Sequence, residues 1–564
     1  MSETLATAST DTPAWRLEWL SPVRCRLILL LFLLVSFLGN LYYLHHSPID
    51  LSGDEAQYWD WSRNLDLSYY SKGPGIAYII RASCAIFGQT MPAVRYPAIV
   101  IGALTSLVVY LLTARLFGSE RLALGTVFLF ALIPIMIIGS VLITIDPPMF
   151  LSWGIATYLA ALAIFGQKKW AWPLIGIVVG VGFLIKYVTL VWYIGLFGYL
   201  IFERLSPSPG IPGEGRGEGS SMPRPSEGNP HPDPLPEYRE RGAKWMGGVL
   251  ALVISLLFTT PVIAWNYQHD WVSFRHVAQQ TGTSGGTFSL TNIFIFVAGQ
   301  IGAVGPAVTW LMLVAVWVAI RSGDVRQRFL LWIGLPLFVI CSIGSLRTKI
   351  QLNWPAPAYF TLLILAANFA GSRMGSLKAW RRWRGWVWGA IATGLVLIPI
   401  ARDTSFVLPV FQRIAKAIQP NADDFDPLAR LRGWDQLGNQ ISIELQQLGD
   451  GAFVLCDDYQ QTAETAFYVR GQPRTYCAGF YFGKRMSQYD LWSRLDASSP
   501  LVGHDAIYVG KGGGIPDMVE AAFNHVQRLP FIEIVVNGVQ VRRFTIWRCQ
   551  GFKGMKWPEA ASDY

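Results

Sequence analysis

The sequence predicts a polytopic α-helical membrane protein that ends in a small α/β domain outside the membrane, and three observations predict it. Of its 564 residues, 52% are hydrophobic and only 15% are charged, whereas a soluble chain of this size carries about a quarter charged residues. Apolar runs of about 18 or more residues recur through roughly the first 400 positions, each long enough to cross about 30 Å of hydrocarbon. Lipid cannot satisfy exposed backbone polar groups, so these runs must be helices. Beyond about residue 402 the long runs give way to short strand-like ones.

The apolar stretches number about eleven, near 27–44, 93–116, 122–143, 147–165, 171–185, 187–203, 246–265, 291–320, 329–346, 352–371 and 386–401. The first, Leu27 to Leu44, is long for a signal-peptide core and has no small-residue cleavage site after it, so it reads as a helix that stays. With Arg16, Arg24 and Arg26 inside, the inner loops carry Arg115 and Arg121, then Lys168 and Lys169. Arg321, Arg326 and Arg328 follow, and finally Arg373, Lys378, Arg381, Arg382 and Arg384. This bias sets the orientation and accounts for much of the net charge of +9, which argues against nucleic acid as a partner. The stretch 171–203 also reads as one long helix if Lys186 does not reach the surface, but that flips the later loops against their basic bias.

These spans form a transmembrane domain over 1–401, with a long first outer loop at 45–92. Residues 205–243 are dense in Pro, Gly and charge without apolar periodicity, and read as a disordered cytoplasmic insert. Residues 402–564 form the outer α/β domain. Phe453–Leu455 and Ala506–Val509 read as buried strands, and 460–469 as a helix. Phe531–Val536 and Val539–Trp547 flank Asn537-Gly538, a strong hairpin signal. The six cysteines show no metal-type spacing. Cys456, Cys477 and Cys549 share the outer domain, where the sequence leaves room for one disulfide without fixing a pair.

Candidate chemistry lies in three outward-facing places. The first loop carries Asp54 and Glu55 beside Trp59, Trp61, Tyr69 and Tyr70, and then Lys72 within Gly and Pro. An Asp-Glu pair at a helix start is often an ordinary cap. Asp146, in Thr144-Ile145-Asp146-Pro147-Pro148, has the same bland reading, yet it emerges on the same side as Asp54. Lys186-Tyr187, then Arg347, Lys349 and Asn353, place cations on the outer side, against the usual bias. Single cations of this kind often snorkel. Carboxylates and cations together at a membrane interface suit the removal of a hydroxyl proton while a phosphate leaving group is neutralised.

Taken in order, Gly53-Asp54-Glu55-Ala56-Gln57-Tyr58-Trp59, Tyr70-Ser71-Lys72-Gly73-Pro74, Thr144-Ile145-Asp146-Pro147-Pro148, Lys186-Tyr187 and Asn353-Trp354-Pro355-Ala356-Pro357-Ala358-Tyr359 resemble the GT-C glycosyltransferases of family 39. That family includes dolichyl-phosphate-mannose–protein mannosyltransferases and bacterial transferases that add aminoarabinose or galacturonic acid to lipid A. The resemblance spans about residues 27–370. It implies a GT-C-like bundle whose first outer loop folds into surface helices, and a polyprenyl-phosphate-linked sugar donor used with inversion. Asp54 would be the catalytic base, with Glu55 and Asp146 orienting the acceptor or tuning it. Lys72, Lys186, Arg347 and Lys349 would hold donor phosphate or a sugar carboxylate, with Tyr70, Tyr187 and Asn353 beside them. Relatives often have a second proline where this chain reads Lys72-Gly73-Pro74-Gly75.

Asn266 to Arg275 resembles the bacterial members, which favours a lipid or glycan acceptor over protein; Gln488 to Trp492 resembles them too, with no chemistry assigned to it. No cofactor is required, and a divalent metal between the acids is allowed. The expected location is the bacterial cytoplasmic membrane with an extracytoplasmic active site. The competing readings are a lipid-linked sugar transporter or flippase and a non-catalytic envelope scaffold. A transporter usually shows internal repeats and midplane ionisable groups, whereas no clear repeat is seen here and the charges cluster at helix ends.

Overall fold

The computed structural model describes residues 20–205, 236–281, 288–373, 377–418, 426–511 and 513–556. Among them, six helices are long and apolar enough to cross a membrane, from Pro22–His46 to Lys378–Arg402. The chain is a multi-pass membrane protein. Most of the predicted insert, 206–235, lies outside the described residues. Its last part differs from expectation, because a helix already starts at Pro236 and runs to Leu257.

Two predicted spans are broken, and proline breaks both. The stretch 291–320 is two helices, Leu290–Val304 and Pro306–Arg321, bent by 104°. Pro306 has no N–H to continue the ladder, and Gly305 turns the corner at φ +94°, which a glycine adopts without Cβ strain. The stretch 122–143 is likewise divided into Glu120–Ala131 and Pro134–Gly139. By contrast, 171–203 is two helices as the basic bias required. Ala171–Ile185 stops at Lys186, whose backbone is extended, and a 3-10 turn over Tyr187–Val191 leads into Trp192–Leu205.

The first outer loop folds into two helices, Gly53–Arg63 and Gly75–Phe87. The tail folds over them. Its strands are β1 (Phe453–Cys456), β2 (Thr475–Cys477), β3 (Ala506–Gly510), β4 (His525–Arg528), β5 (Ile532–Val536) and β6 (Val539–Gln550). They run in the order β2-β1-β3-β6-β4, with β5 also on β6. β1 is parallel to both β2 and β3, and β6 is antiparallel to β3, β4 and β5. Asn537 and Gly538 take φ of +50° and +78°, the left-handed pair that a two-residue hairpin needs. All six cysteines are buried and free; Cys456 and Cys477 are register partners on β1 and β2, and Cys549 lies on β6.

The tail is joined to the first outer loop rather than tethered beside it. The helix Tyr459–Tyr468 packs on Gly53–Arg63 through a shared apolar core containing Trp59, Trp61, Ala463 and Phe467. Trp59 and Phe467 meet edge to face at 4.8 Å. Leu51 N–H donates to the Tyr468 hydroxyl at 2.7 Å, Trp434 N–H to the Asp50 carboxylate at 2.8 Å, and Arg63 to the Gln472 carbonyl at 2.7 Å.

Candidate active site

Asp54 sits in the first turn of Gly53–Arg63, where the helix dipole favours an acid. Ser52 caps that helix and Glu55 completes a reciprocal capping box, which leaves Asp54 free of capping duty. Its carboxylate accepts from the Gln460 side-chain amide at 3.4 Å. Burial raises its pKa above the usual aspartate value, Gln460 and Lys72 oppose the rise, and Asp146 adds to it.

Lys72 is carried in by an unusually close backbone approach. A Cβ on Gly73 would meet the Leu184 carbonyl oxygen at 2.2 Å, and one on Gly75 would meet Ile185 at 2.7 Å. The Lys72-Gly73-Pro74-Gly75 turn therefore lies flush against the end of the helix that precedes Lys186. This departure from the two-proline pattern brings the two lysines into one electrostatic neighbourhood with Asp54, Asp146 and Arg485. Burial and the neighbouring cations pull the Lys72 ammonium down to about 8. Gly73→Ala should force the turn off its seat. A displacement of about 1 Å at a reacting centre costs on the order of 100-fold in rate, and kcat/KM for the transfer proposed below is expected to fall by about that factor while the purified protein still elutes as a single folded species.

Asp146 does not cap its helix. It is the first residue of Asp146–Phe165, and Ile145 occupies the cap without a side-chain bond. Its carboxylate instead takes Lys186 Nζ at 2.6 Å on one oxygen and the Asn353 amide on the other. Tyr187 is fixed alongside, its hydroxyl 3.2 Å from Ser68 Oγ and its ring stacked on Phe274. Tyr70 is buried, donates its N–H to Gln488 at 2.7 Å, and sets its ring 5.3 Å from His276.

Three of the expected site residues stand apart from this cluster. Glu55 is fully buried, paired with Arg95 at 2.9 and 2.8 Å, and accepts from the Ile143 N–H at 3.0 Å. With no exposed side-chain surface it cannot orient an acceptor; it ties the Asp54 helix to the turn that precedes Asp146. Arg347 and Lys349 are exposed and, among the described residues, form no ion pair with either acid. Their chain neighbour Asn353 turns inward while they point out.

Sequence reasoning missed the contribution of the tail. Gln460, Tyr459 and Arg485 all reach the Asp54 environment, and His276, from the helix Val272–Gln280, lies against Arg485 and Tyr70. The hints were two segments like bacterial proteins, 266–275, which bore on the acceptor alone, and 488–492, which carried no assigned chemistry. Among the described residues, no group of three or more His, Cys, Asp or Glu side chains is placed to hold a metal ion; positive charge at the site comes from Lys72, Lys186 and Arg485.

A cavity of about 1140 Å³ opens onto Asp146. Its wall is apolar, including Phe37, Ile99, Phe128 and Phe150, and Asp146 and Asn353 lie in its lining. An apolar wall with a few polar groups, Asp146 and Asn353 among them, suits a lipid chain bearing a charged head.

Fold and site together define a multi-pass membrane protein with the GT-C architecture, built from a helical bundle, a folded first outer loop and a tail closed over it. Solved structures of ArnT from Cupriavidus metallidurans, one apo and one bound to undecaprenyl phosphate, match 93% of this chain and 97% of theirs, with TM-scores of 0.56 and 0.57 at 15% and 16% identity. A family model for dolichyl-phosphate-mannose-protein mannosyltransferase matches residues 71–209. Lipid A galacturonosyltransferase RgtD of Rhizobium johnstonii is 29% identical over 345 residues, 60% of this chain and 64% of that protein. The undecaprenyl phosphate-alpha-4-amino-4-deoxy-L-arabinose arabinosyl transferase of Pseudomonas aeruginosa strain LESB58 is 30% identical over 163 residues, 27% of this chain and 28% of that protein. The matches thus span under two-thirds of the first relative's length and little over a quarter of the second's. By sequence the chain is similar, over part of its length, to glycosyltransferases of this kind.

Proposed function

We propose that the protein is a glycosyltransferase that moves a sugar from a polyprenyl-phosphate donor to a hydroxyl of a lipid or glycan acceptor, at the outer face of a bacterial cytoplasmic membrane. The observation that carries this reading is the convergence of Asp54, Lys72, Asp146 and Lys186 in one electrostatic neighbourhood, with Asp146 in the lining of a large apolar cavity. The nature of the relatives supports it. The transmembrane part, 1–401, supplies the cavity and most of the charges, and the tail, 402–564, closes the site.

In this mechanism Asp54 takes the proton from the acceptor hydroxyl as its oxygen attacks the anomeric carbon. The bond from that carbon to the phosphate oxygen breaks, and the lipid phosphate leaves with the electron pair, with inversion. Lys72 and Lys186 offset the charge on the departing phosphate. Asp146, which lines the cavity and accepts from Asn353, holds Lys186. Raising the pKa of Asp54 by burial makes it a stronger base near neutral pH.

The test is transfer by the purified protein in lipid vesicles, with a sugar-labelled polyprenyl phosphate and envelope lipid as acceptor. One free polyprenyl phosphate should be released for each sugar appearing in the acceptor. Movement of intact donor across the bilayer without loss of its sugar would instead favour a flippase. The same assay reads Lys72. Its ammonium, held near 8 in the free protein, loses its proton as pH rises through that value, so kcat/KM should fall on the alkaline side. Arginine does not deprotonate in this range, and Lys72→Arg should move that limb to higher pH.

A further inference from the structure

The apolar cavity has a cation of its own. Among the described residues its lining holds one acid, Asp146, and one basic side chain, Arg402, with Asn40 also in the wall. Lys72, Lys186 and Arg485 are not part of that wall. Asn40 belongs to Pro22–His46, and Arg402 ends Leu377–Arg402. These are the two least-buried of the six long apolar spans, which puts the cavity at the lipid-facing edge of the bundle.

A cation at the end of a span often reaches outward to the headgroup layer. Arg402 turns inward instead. Its guanidinium donates to the Asn40 side-chain oxygen at 2.6 Å. Asn40 is buried and lies six residues before the last residue of its helix, about 9 Å along the axis. The Tyr43 ring sits 5.3 Å from the guanidinium, and the Tyr43 hydroxyl donates to the Arg402 carbonyl at 2.6 Å. Arginine carries five N–H donors, yet Arg402 Nε is buried with no partner among the described residues.

No carboxylate among the described residues cancels this charge. Asp403, next in the chain, is taken by Arg432 at 3.0 Å and by Ser405. Asp146 gives one oxygen to Lys186 and the other to Asn353. Arg402 is half-buried, so water screens part of its charge, but the wall around it is apolar and offers its spare donors no acceptor. An anionic head carried in on a lipid supplies one, and the planar arginine fork matches two of its oxygens at once. The mechanism above spends Lys72 and Lys186 on the carrier phosphate. A separate cation on a separate wall fits the other substrate. We propose that Arg402, with Asn40, binds an anionic group on the acceptor lipid and positions that lipid in the cavity beside Asp146. The proposal rests on the transferase reading above and narrows the acceptor to an anionic lipid that enters from the bilayer.

Two measurements test it in wild type, Arg402→Ala and Arg402→Lys, with thermal melts as a folding control. The first reads headgroup chemistry alone, as binding of phosphatidic acid and of diacylglycerol with the same chains to the purified protein. Wild type should prefer the phosphate head. Arg402→Ala should bind phosphatidic acid about 10-fold more weakly, the scale of one hydrogen bond to a charged group, and Arg402→Lys should keep part of the preference. Diacylglycerol should bind alike in all three. The second is the transfer assay with envelope lipid, in which Arg402→Ala should raise KM for the acceptor by about the same factor while kcat and the donor KM stay near wild type. If the phosphate preference survives Arg402→Ala, or diacylglycerol binding falls equally, the anion site is overturned. If the donor KM rises instead, the carrier phosphate uses Arg402, and the acceptor assignment is overturned while the transferase reading stands. If wild type prefers the phosphate head yet transfers no sugar, the transferase reading falls and the acceptor role falls with it.

Discussion

Asp54→Asn is expected to reduce sugar transfer by about 1,000-fold or more, within the range that a positioned general base supplies. The substitution keeps the shape of the side chain and an oxygen for the Gln460 amide, and Ser52 and Glu55 still cap the helix without it. Expression and thermal stability should therefore stay close to wild type. Removal of a half-buried charge whose pKa is already raised by burial costs the fold little. Turnover within a few-fold of wild type would take the proton-abstracting role away from Asp54. The acidic limb of kcat/KM should lie above the range of an ordinary exposed aspartate, because burial and Asp146 both favour the protonated form.

The second large effect is on the fold. Arg95 and Glu55 are both completely buried and joined through two bonds, and Arg95 also donates to the Asp50 carbonyl at 2.7 Å. Taking away one partner of a buried pair strands the other charge and costs about 3–5 kcal/mol. Arg95→Ala should lower the midpoint of thermal unfolding markedly and with it the yield of folded protein. The double substitution Arg95→Leu with Glu55→Leu should recover part of the loss, since an apolar pair leaves no unpaired charge. If the single variant melts like wild type, the pair does not anchor the Asp54 helix.

Much of this arrangement is legible in the chain, and the parts that are not have physical reasons. Alternation and the Asn537-Gly538 turn announce β5 and β6, because local backbone chemistry decides them. The broken span at Gly305-Pro306 is a local signal as well, overridden in the reading by apolar composition. Glu55 was assigned to the site by its place next to Asp54, but adjacent residues on a helix point about 100° apart, and Arg95 claims it. Arg347 and Lys349 are expected at the site because they place cations on the outer side, but a cation at a helix end faces solvent as readily as it faces a site. Arg485 and Gln460 lie more than 400 positions from Asp54; only the docking of Tyr459–Tyr468 on Gly53–Arg63 brings them there, and no local pattern encodes that contact.

The central claim is that the tail and the first outer loop share one site on the outer face. Single cysteines introduced at Lys484 and at Lys168, both exposed, test it most directly when intact spheroplasts meet a membrane-impermeant maleimide. The account predicts that Cys at 484 reacts at once and Cys at 168 only after permeabilisation. Reaction in the reverse order would put the acids and cations on the cytoplasmic side and contradict it.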